Sequence, residues 1–133
     1  MVFFGEFILS LTSGHRIVLP KKIREQIRDN KFILTKGFDF CLSGYRQKDW
    51  EQKAKELLDA SLLDKSNMRK KRIIFSSAVY LEWDAQGRII LPKNLMEYAG
   101  IKEKVVIIGV GDHFEIWAEE AWKSYQQNTD DQE

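Results

Sequence analysis

The sequence has little of several features that mark particular protein classes. Cys41 is the only cysteine among 133 residues, so an intrachain disulfide is excluded, and its simplest role is that of a small buried hydrophobic residue. No apolar run approaches the length of a membrane span. The amino-terminal residues MVFFGEF lack the basic start of a signal peptide. We therefore expect a protein of a reducing, cytoplasmic environment.

The chain also lacks an excess of charge and the motifs of nucleotide or metal sites. Its 21 basic and 20 acidic residues leave a net charge of +1, which by itself gives no indication of nucleic-acid binding. The phosphate-binding patterns GxxxxGK[ST] and GxGxxG do not occur. The softer metal ligands, His15, His113 and Cys41, are scattered without zinc-type spacing. We expect no metal site, no cofactor and no enzyme activity.

The sequence does contain an internal repeat. The phrases HRIVLPKKI, at 15–23, and GRIILPKNL, at 87–95, share an arginine, three apolar positions, a proline and a lysine about 72 positions apart. The register extends without a gap over about 43 positions, with about nine identities, and one duplication explains this better than a general likeness of βα segments. It places Cys41 and His113 at the same position of their units. We interpret Cys41 and His113 as residues at equivalent structural positions of the two units rather than as a catalytic pair.

Hydrophobic periodicity and turn residues predict the same ββαββα order in each unit. Pro20 and Pro92 end the second strand and open a short helix, because proline cannot donate to a ladder but is favoured in a first helical turn. The predicted strands are 3–11, 16–19, 32–36 and 40–43 in the first unit and 79–83, 88–91, 105–110 and 114–117 in the second. The predicted helices are 21–28, 48–60, 93–99 and 119–126, with a further helix at 65–75.

Each unit is too small to bury much surface on its own, at about 50 to 60 residues. We therefore expect the units to share a core or to have it completed by other subunits. The sequence predicts an α+β chain of two pseudo-symmetric units, 1–60 and 77–127. A helix within 61–76 joins them, and 128–133 forms a flexible polar tail.

One arginine in each unit is placed to contact a ligand. Arg16 and Arg88 each open a strand just after a tight turn, so their guanidinium groups point off the end of a hairpin, where they can fork onto a phosphate or a guanine edge. Arg88 can instead pair with Asp84, four residues earlier, and stiffen the turn; both roles stay open. In the first turn Thr12 occupies the position equivalent to Asp84, so Arg16 has no acidic residue there to pair with.

Further basic residues surround the first turn. His15 precedes Arg16, and Lys21, Lys22 and Arg24 follow it, so this turn is the better candidate for contacts with phosphates and bases. A solvated helix face is the alternative interpretation of the lysines.

These motifs resemble those of the MraZ family of transcriptional regulators, which is linked to bacterial division and cell-wall gene clusters. The likeness spans nearly the whole chain and includes F-x-G-x-F at 3–7, a DxxxR turn at 84–88, R-I-x-L-P twice and F-E-I-W at 114–117. The resemblance implies two SpoVT-AbrB-like swapped-hairpin units that form a β-barrel flanked by helices. It also implies a ring-shaped homo-oligomer, an octamer or similar.

The resemblance further implies that the chain acts as a repressor at the nucleoid, binding short direct repeats of double-stranded DNA in its own promoter region. The arginine of each turn would read the DNA, with Asp84 as the orienting acid and Gly87 completing the second turn. Thr12 and His15 depart from the family pattern in the first turn. Thr12 keeps hydrogen-bonding capacity without charge, and His15 tolerates positive φ, so we expect the turn to persist with a changed DNA preference.

Two functions from different classes are consistent with the sequence. The leading one is a DNA-binding regulator whose weak net charge is offset by repetition of its basic turns around an oligomer. The alternative is an oligomeric protein-interaction module without specific DNA binding. Salt-dependent binding to the upstream DNA would distinguish them, because phosphate contacts release counterions.

Overall fold

The computed structural model of the chain describes residues 1–59 and 63–132. It has eight strands: β1 (Glu6–Ser10), β2 (Arg16–Val18), β3 (Lys31–Lys36), β4 (Leu42–Tyr45), β5 (Val79–Glu82), β6 (Arg88–Ile90), β7 (Lys104–Gly109) and β8 (Phe114–Ala118). The α-helices are α1 (Lys21–Arg24), α2 (Gln47–Leu58), α3 (Lys65–Ser77), α4 (Lys93–Ala99) and α5 (Glu119–Gln132). The predicted α+β class is confirmed. Among the described residues, no helix has the length and apolar character needed to cross a bilayer.

The two halves of the chain are interleaved in one antiparallel sheet. The strand order is β1-β7-β8-β4-β3-β5. The first strand of each half therefore pairs with the third strand of the other half: β1 pairs with β7, where Phe7 lies opposite Ile107, and β5 pairs with β3, where Tyr80 lies opposite Ile33. The halves consequently share a sheet and a core, as their small size requires.

The remaining strands, β2 and β6, form a separate two-stranded ribbon. The predicted closed barrel is wrong. In the six-stranded sheet β1 and β5 each have one strand partner and remain open edges, and β2 and β6 pair with each other rather than bridging those edges. A barrel needs every strand to have two neighbours.

The core lies where the sheet, the ribbon and α4 meet. Its aromatic centre is Phe114, whose ring lies 5.4 Å from Phe3 and 5.4 Å from Phe32. A side chain at Gly44 would overlap the ring of Phe114, so glycine is needed on the neighbouring strand for this close approach. Further fully or nearly fully buried side chains are Ile17, Leu19, Ile23, Leu34, Leu42, Ile89, Leu91, Leu95, Val105, Ile107 and Ile116.

Several predicted element bounds differ from those observed, each for a local reason. The first strand begins at Glu6 rather than 3, because Gly5 has a φ of 102°. The predicted strand at 40–43 is wrong at its start: Phe38–Phe40 form a short 3-10 turn, with Asp39 and Phe40 both at a φ of 59°. A strand cannot include these left-handed residues.

The helices also differ in length from their predictions. Helix α1 ends at Arg24 rather than 28, and the chain continues through tighter turns in which the N–H groups of Gln26 and Ile27 donate to the carbonyls of Ile23 and Arg24. Helices α3 and α5 run beyond their predicted ends. The predicted end of α2, at 60, lies outside the described residues.

Cys41 occupies the buried, hydrophobic position expected of it. Its side chain is fully buried, and its thiol donates to the carbonyl of Phe38 over 3.1 Å. Burial, reinforced by nearby Glu115, raises the pKa of the Cys41 thiol far above its usual range. His113, at the equivalent place in the second half, bonds instead to Asp112 and Glu115. The two equivalent positions therefore have different hydrogen-bond partners.

Candidate nucleic-acid interface

The β2–β6 ribbon is nearly two-fold symmetric about one buried pair. Ile17 lies opposite Ile89, and both are buried against the core. The N–H of Leu19 donates to the carbonyl of Gly87 over 2.8 Å, and at the other end the N–H of Leu91 donates to the carbonyl of His15 over 2.9 Å. Leu19 of the first half is thus hydrogen-bonded to the turn of the second half, and Leu91 of the second half is hydrogen-bonded to the turn of the first.

The outward face of this ribbon carries both arginines. Arg16 lies opposite Ile90, and Arg88 lies opposite Val18. Because residues directly opposite each other project to the same side and successive residues alternate, these four side chains share the face away from the core. Val18 and Ile90 are 43% and 54% exposed. The result is an exposed surface of two guanidinium groups and two branched apolar side chains, which we call the arginine ribbon.

The second turn holds its arginine with a carboxylate. The backbone N–H groups of Gln86 and Arg88 donate to Oδ1 of Asp84 over 2.9 Å each, and Nε of Arg88 donates to Oδ2 over 3.0 Å. These bonds, first of all that from the backbone N–H of Arg88, lower the pKa of the Asp84 carboxyl. Gly87 has a φ of 78°, which closes the turn. The pairing of Asp84 with Arg88, one of the two alternatives that the sequence left open, is present, and the arginine side chain is still 39% exposed.

The first turn is closed by the equivalent backbone hydrogen bond without an acid. The N–H of Thr12 donates to the carbonyl of Arg16 over 2.8 Å, and the Thr12 hydroxyl donates to the same oxygen over 3.3 Å. Gly14 and His15 have positive φ values of 80° and 59°, so the predicted left-handed histidine is confirmed. Nη1 of Arg16 donates to the carbonyl of Ser13 over 3.2 Å. Within the described part of the chain, no carboxylate lies within ion-pair distance of Arg16, whose charge is not neutralised.

The three basic residues after the first turn lie in different environments. Lys21 and Lys22 are exposed on α1, and Lys21 lies 4.0 Å from the carboxylate of Glu25. Arg24 is half-buried, and its Nε donates to the carbonyl of Leu19 over 2.9 Å. Its guanidinium packs against the second turn, where a Cβ on Gly87 would come within 2.9 Å of Cζ. Arg24 therefore braces the turn of the other half.

Sequence reasoning did not single out two features of this site. Val18 and Ile90 complete the outward face, and the alternation of RIV and RII could have indicated them. Asn30 ties the start of β3 to the segment before the second turn: its Nδ2 donates to the carbonyl of Trp83 over 3.1 Å, and its own carbonyl accepts from the N–H of Trp83. No short motif marks such a long-range pair.

The described residues contain no group of three or more His, Cys, Asp or Glu side chains that could hold a metal ion. The arrangement is instead suited to hydrogen bonding and charge contacts with an anionic surface, because arginine forks match phosphate and guanine geometry. The fold and site together define a class of small α+β proteins in which two interleaved halves present a basic β-ribbon.

The chain belongs to the MraZ family. The family's model, described as "MraZ protein, putative antitoxin-like", matches the chain twice, at residues 2–73 and 74–133. The resemblance noted in the sequence is thus confirmed, and the double match falls on the two interleaved halves.

Three similar proteins carry the name "Transcriptional regulator MraZ". The one from Acetivibrio thermocellus is 40% identical over 124 residues, which covers 93% of this chain and 86% of that protein. The Syntrophomonas wolfei protein is 43% identical over 127 residues, or 96% and 88%. The Clostridium acetobutylicum protein is 38% identical over 130 residues, or 98% and 91%. These names support a role in transcription regulation and agree with the prediction that the chain is not an enzyme.

Proposed function

We propose that this protein is a sequence-specific DNA-binding repressor that reads double-stranded DNA with the arginine ribbon. The observation that carries the proposal is the shared outward face of Arg16 and Arg88 on a two-stranded ribbon. The major groove, about 12 Å wide, admits such a ribbon. Arginine is also the side chain that most often contacts guanine O6 and N7 there.

The two arginines have different roles in this proposal. Arg88 is held in one orientation by Asp84, so it presents its Nη groups to a base edge with little loss of side-chain entropy. Arg16 has no carboxylate partner and contributes its full charge to a phosphate or a base. Around it, exposed His15, Lys21 and Lys22 contact phosphates.

The remaining predicted site residues support the ribbon rather than the DNA. Arg24, bonded to the carbonyl of Leu19, keeps the second turn in place. Thr12 and Asp84 each tie their turn to the carbonyl of the following arginine, and Gly87 allows the second turn to close.

We also propose the assembly and target that the family likeness implies. Two units of the SpoVT-AbrB swapped-hairpin kind, 1–60 and 77–127, joined through 61–76, would build a ring-shaped homo-oligomer. Helix α5 continues through 128–132, where a flexible tail at 128–133 was predicted. This ring, in the cytoplasm at the nucleoid, would bind direct repeats upstream of its own gene in a division and cell-wall gene cluster. Because the net charge is only +1, such a design would depend on many modest contacts that act together around the oligomer.

The test is a titration of upstream DNA with the full chain, read by fluorescence anisotropy at several salt concentrations. Arg16→Ala and Arg88→Ala should each weaken binding by about tenfold to a hundredfold, the effect of losing a good base contact. Arg72→Ala, an exposed arginine on α3 away from the ribbon, is the matched control and should bind like the parent. Native mass spectrometry should show one oligomer size for all four proteins.

Two results would contradict the proposal. If both ribbon variants bind DNA as tightly as the control, the arginine ribbon is not the reader. If the upstream DNA does not bind even at low salt, the ribbon is better interpreted as a protein-interaction surface, which the words "antitoxin-like" in the family description favour.

A further inference from the structure

A second concave site lies away from the arginine ribbon. A cavity of about 410 Å³ is enclosed by α2, α3, the ends of β3 and β4 and the segment before β8, and no residue of the ribbon lines it. Its volume falls within the range of small-molecule sites, roughly 300 to 1,000 Å³. DNA reading by the ribbon leaves this cavity without a role.

The walls of the cavity are apolar and aromatic. Trp50 and Leu57 of α2 and Ile74 of α3 form two sides, and Phe38 of the 3-10 turn forms the rim. The Trp50 ring packs 5.9 Å from the ring of Tyr45. Phe38 is 61% exposed, although a phenylalanine ordinarily gains from burial. A planar apolar ligand could cover these surfaces.

Buried polar groups converge on the inner end. Thr35 is 1% and Ser43 5% exposed, and both line the cavity. The Thr35 hydroxyl lies 2.9 Å from the Ser77 hydroxyl, which also accepts the backbone N–H of Lys36 over 3.0 Å. Burial raises the pKa of Tyr45 to about 12, so its phenol stays neutral. This polar end is already organised, as in preformed ligand sites.

Carboxylates in the lining are already paired. Glu115 accepts from Nε2 of His113 over 3.2 Å and from Nε1 of Trp117 over 3.0 Å. Glu56 lies 3.7 Å from Nζ of Lys53, which also lies 3.7 Å from Asp112. The carboxylates of Glu115 and Glu56 therefore already have partners within the protein.

Two lysines of the lining have aromatic partners instead of carboxylates. Nζ of Lys36 lies 5.0 Å from the centre of the Tyr98 ring, and Nζ of Lys70 lies 5.8 Å from the centre of the Phe38 ring. Within the described residues, no carboxylate lies within ion-pair distance of either ammonium group. They leave the cavity with positive charge that its own acids do not balance.

The second half of the chain has no counterpart of this site. Lys36 and Phe38 align with Ile108 and Val110, and α3 belongs to the connection between the halves. The cavity is thus not a by-product of the pseudo-symmetry that forms the ribbon.

We propose that this cavity binds a small amphipathic anion, a carboxylate or phosphate on a planar apolar body. The apolar part would lie against Trp50, Ile74 and Phe38. The anionic group would lie at the rim, where Lys70 lies over the Phe38 ring and Lys36 also contributes to the lining. Such a site is independent of DNA reading, because it shares no residue with the ribbon.

The test uses anilinonaphthalene sulfonate, a fluorescent planar anion, with the full chain. Binding should be saturable at one site per chain. Lys36→Gln with Lys70→Gln should weaken it by about tenfold, the effect of losing charge-assisted hydrogen bonds. Lys71→Gln with Arg72→Gln, on α3 but outside the cavity, removes the same two charges and is the control that should leave affinity unchanged.

An uncharged probe separates charge recognition from unfolding. Phenylnaphthylamine, which has the same rings without the sulfonate, should bind the parent and the double variant equally. Naphthoate and naphthyl phosphate should displace the sulfonate, and the stronger competitor identifies the anionic group. Displacement by neither, or equal sulfonate affinity of the double variant and the control, would overturn the proposal.

Discussion

The two turns of the arginine ribbon share one backbone hydrogen bond but differ in backbone conformation and in charge. In each, the N–H of the first residue donates to the carbonyl of the arginine four positions later, over 2.8 Å for Thr12 and 3.0 Å for Asp84. Only the second turn adds a carboxylate to the arginine side chain. The first turn has two consecutive left-handed residues, Gly14 and His15, whereas the second has only Gly87. The comparison shows that the closing hydrogen bond is kept although the turn conformation and the charge around the arginine both differ.

The largest expected difference between the turns concerns their glycines. Gly87 is buried at a φ of 78° beside the half-buried guanidinium of Arg24, so Gly87→Ala should destabilise the fold by about 1 to 3 kcal/mol. Gly14 is exposed at a φ of 80°, and a Cβ there would meet only the movable end of Arg16. Gly14→Ala should therefore destabilise the fold by less, because only the strain of the positive φ opposes the substitution.

Thermal unfolding of the two alanine variants measures this difference. Gly100→Ala is a suitable control, since Gly100 also has positive φ, at 66°, but a Cβ there would touch nothing within 4 Å. If Gly87→Ala is no more destabilising than Gly100→Ala, the packing of Arg24 against the second turn does not matter for stability.

The next effect tests whether the missing acid matters. Thr12→Asp should give the first turn the carboxylate of the second and pair it with Arg16. We expect DNA affinity to fall by about twofold to fivefold, the strength of an exposed ion pair, with a shallower dependence on salt. Thr12→Asn, which supplies the same shape without charge, is the control. Equal affinity of the two variants would mean that the lone charge of Arg16 is not what DNA recognises.

The smallest expected effect is on the pH dependence of stability, and it concerns positions 41 and 113, which are equivalent in the two halves. Burial opposes the charged form of His113, but hydrogen bonds to Glu115 and Asp112 outweigh it and raise the pKa of the imidazole above its ordinary value. A raised pKa contributes stability that is complete below the unfolded value, about 6.5, and is lost as the pH rises through the folded value. Cys41 in the first half has no such dependence in this range.

His113→Gln should therefore lower the Tm more at about pH 6 than at about pH 8. A constant gap between the parent and His113→Gln across this range would show that the two carboxylates do not stabilise the imidazolium.

Much of the site followed from local sequence, while the pairing of the strands did not. The spacing of Asp84 and Arg88 indicated their ion pair as one of two alternatives, and the glycine and histidine of the turns predicted positive φ. Periodicity identifies a strand but not its partner, so the exchange of β1 and β5 between the halves was not visible. The closed barrel came from family likeness and was wrong for this chain.

Two local errors have different physical origins. Phe40 was predicted to begin a strand, but Asp39 and Phe40 are left-handed within a turn that the N–H of Gly37 closes by donating to the carbonyl of Cys41 over 2.7 Å. Arg24 was predicted to be a DNA-binding positive charge on a helix. Its guanidinium instead donates to the carbonyl of Leu19 and packs against the turn of the other half. Contacts between distant segments leave no periodic signal.

The interleaving of the halves also has a consequence for how the chain reaches its native state. A separated half would leave the edge of β3 or β7 without the strand that covers it here, and could regain it only by meeting another polypeptide. Fusion of the halves turns that encounter into a unimolecular step, whose rate and equilibrium do not depend on protein concentration. The ribbon, which takes one strand from each half, is therefore complete within a single chain at any protein concentration.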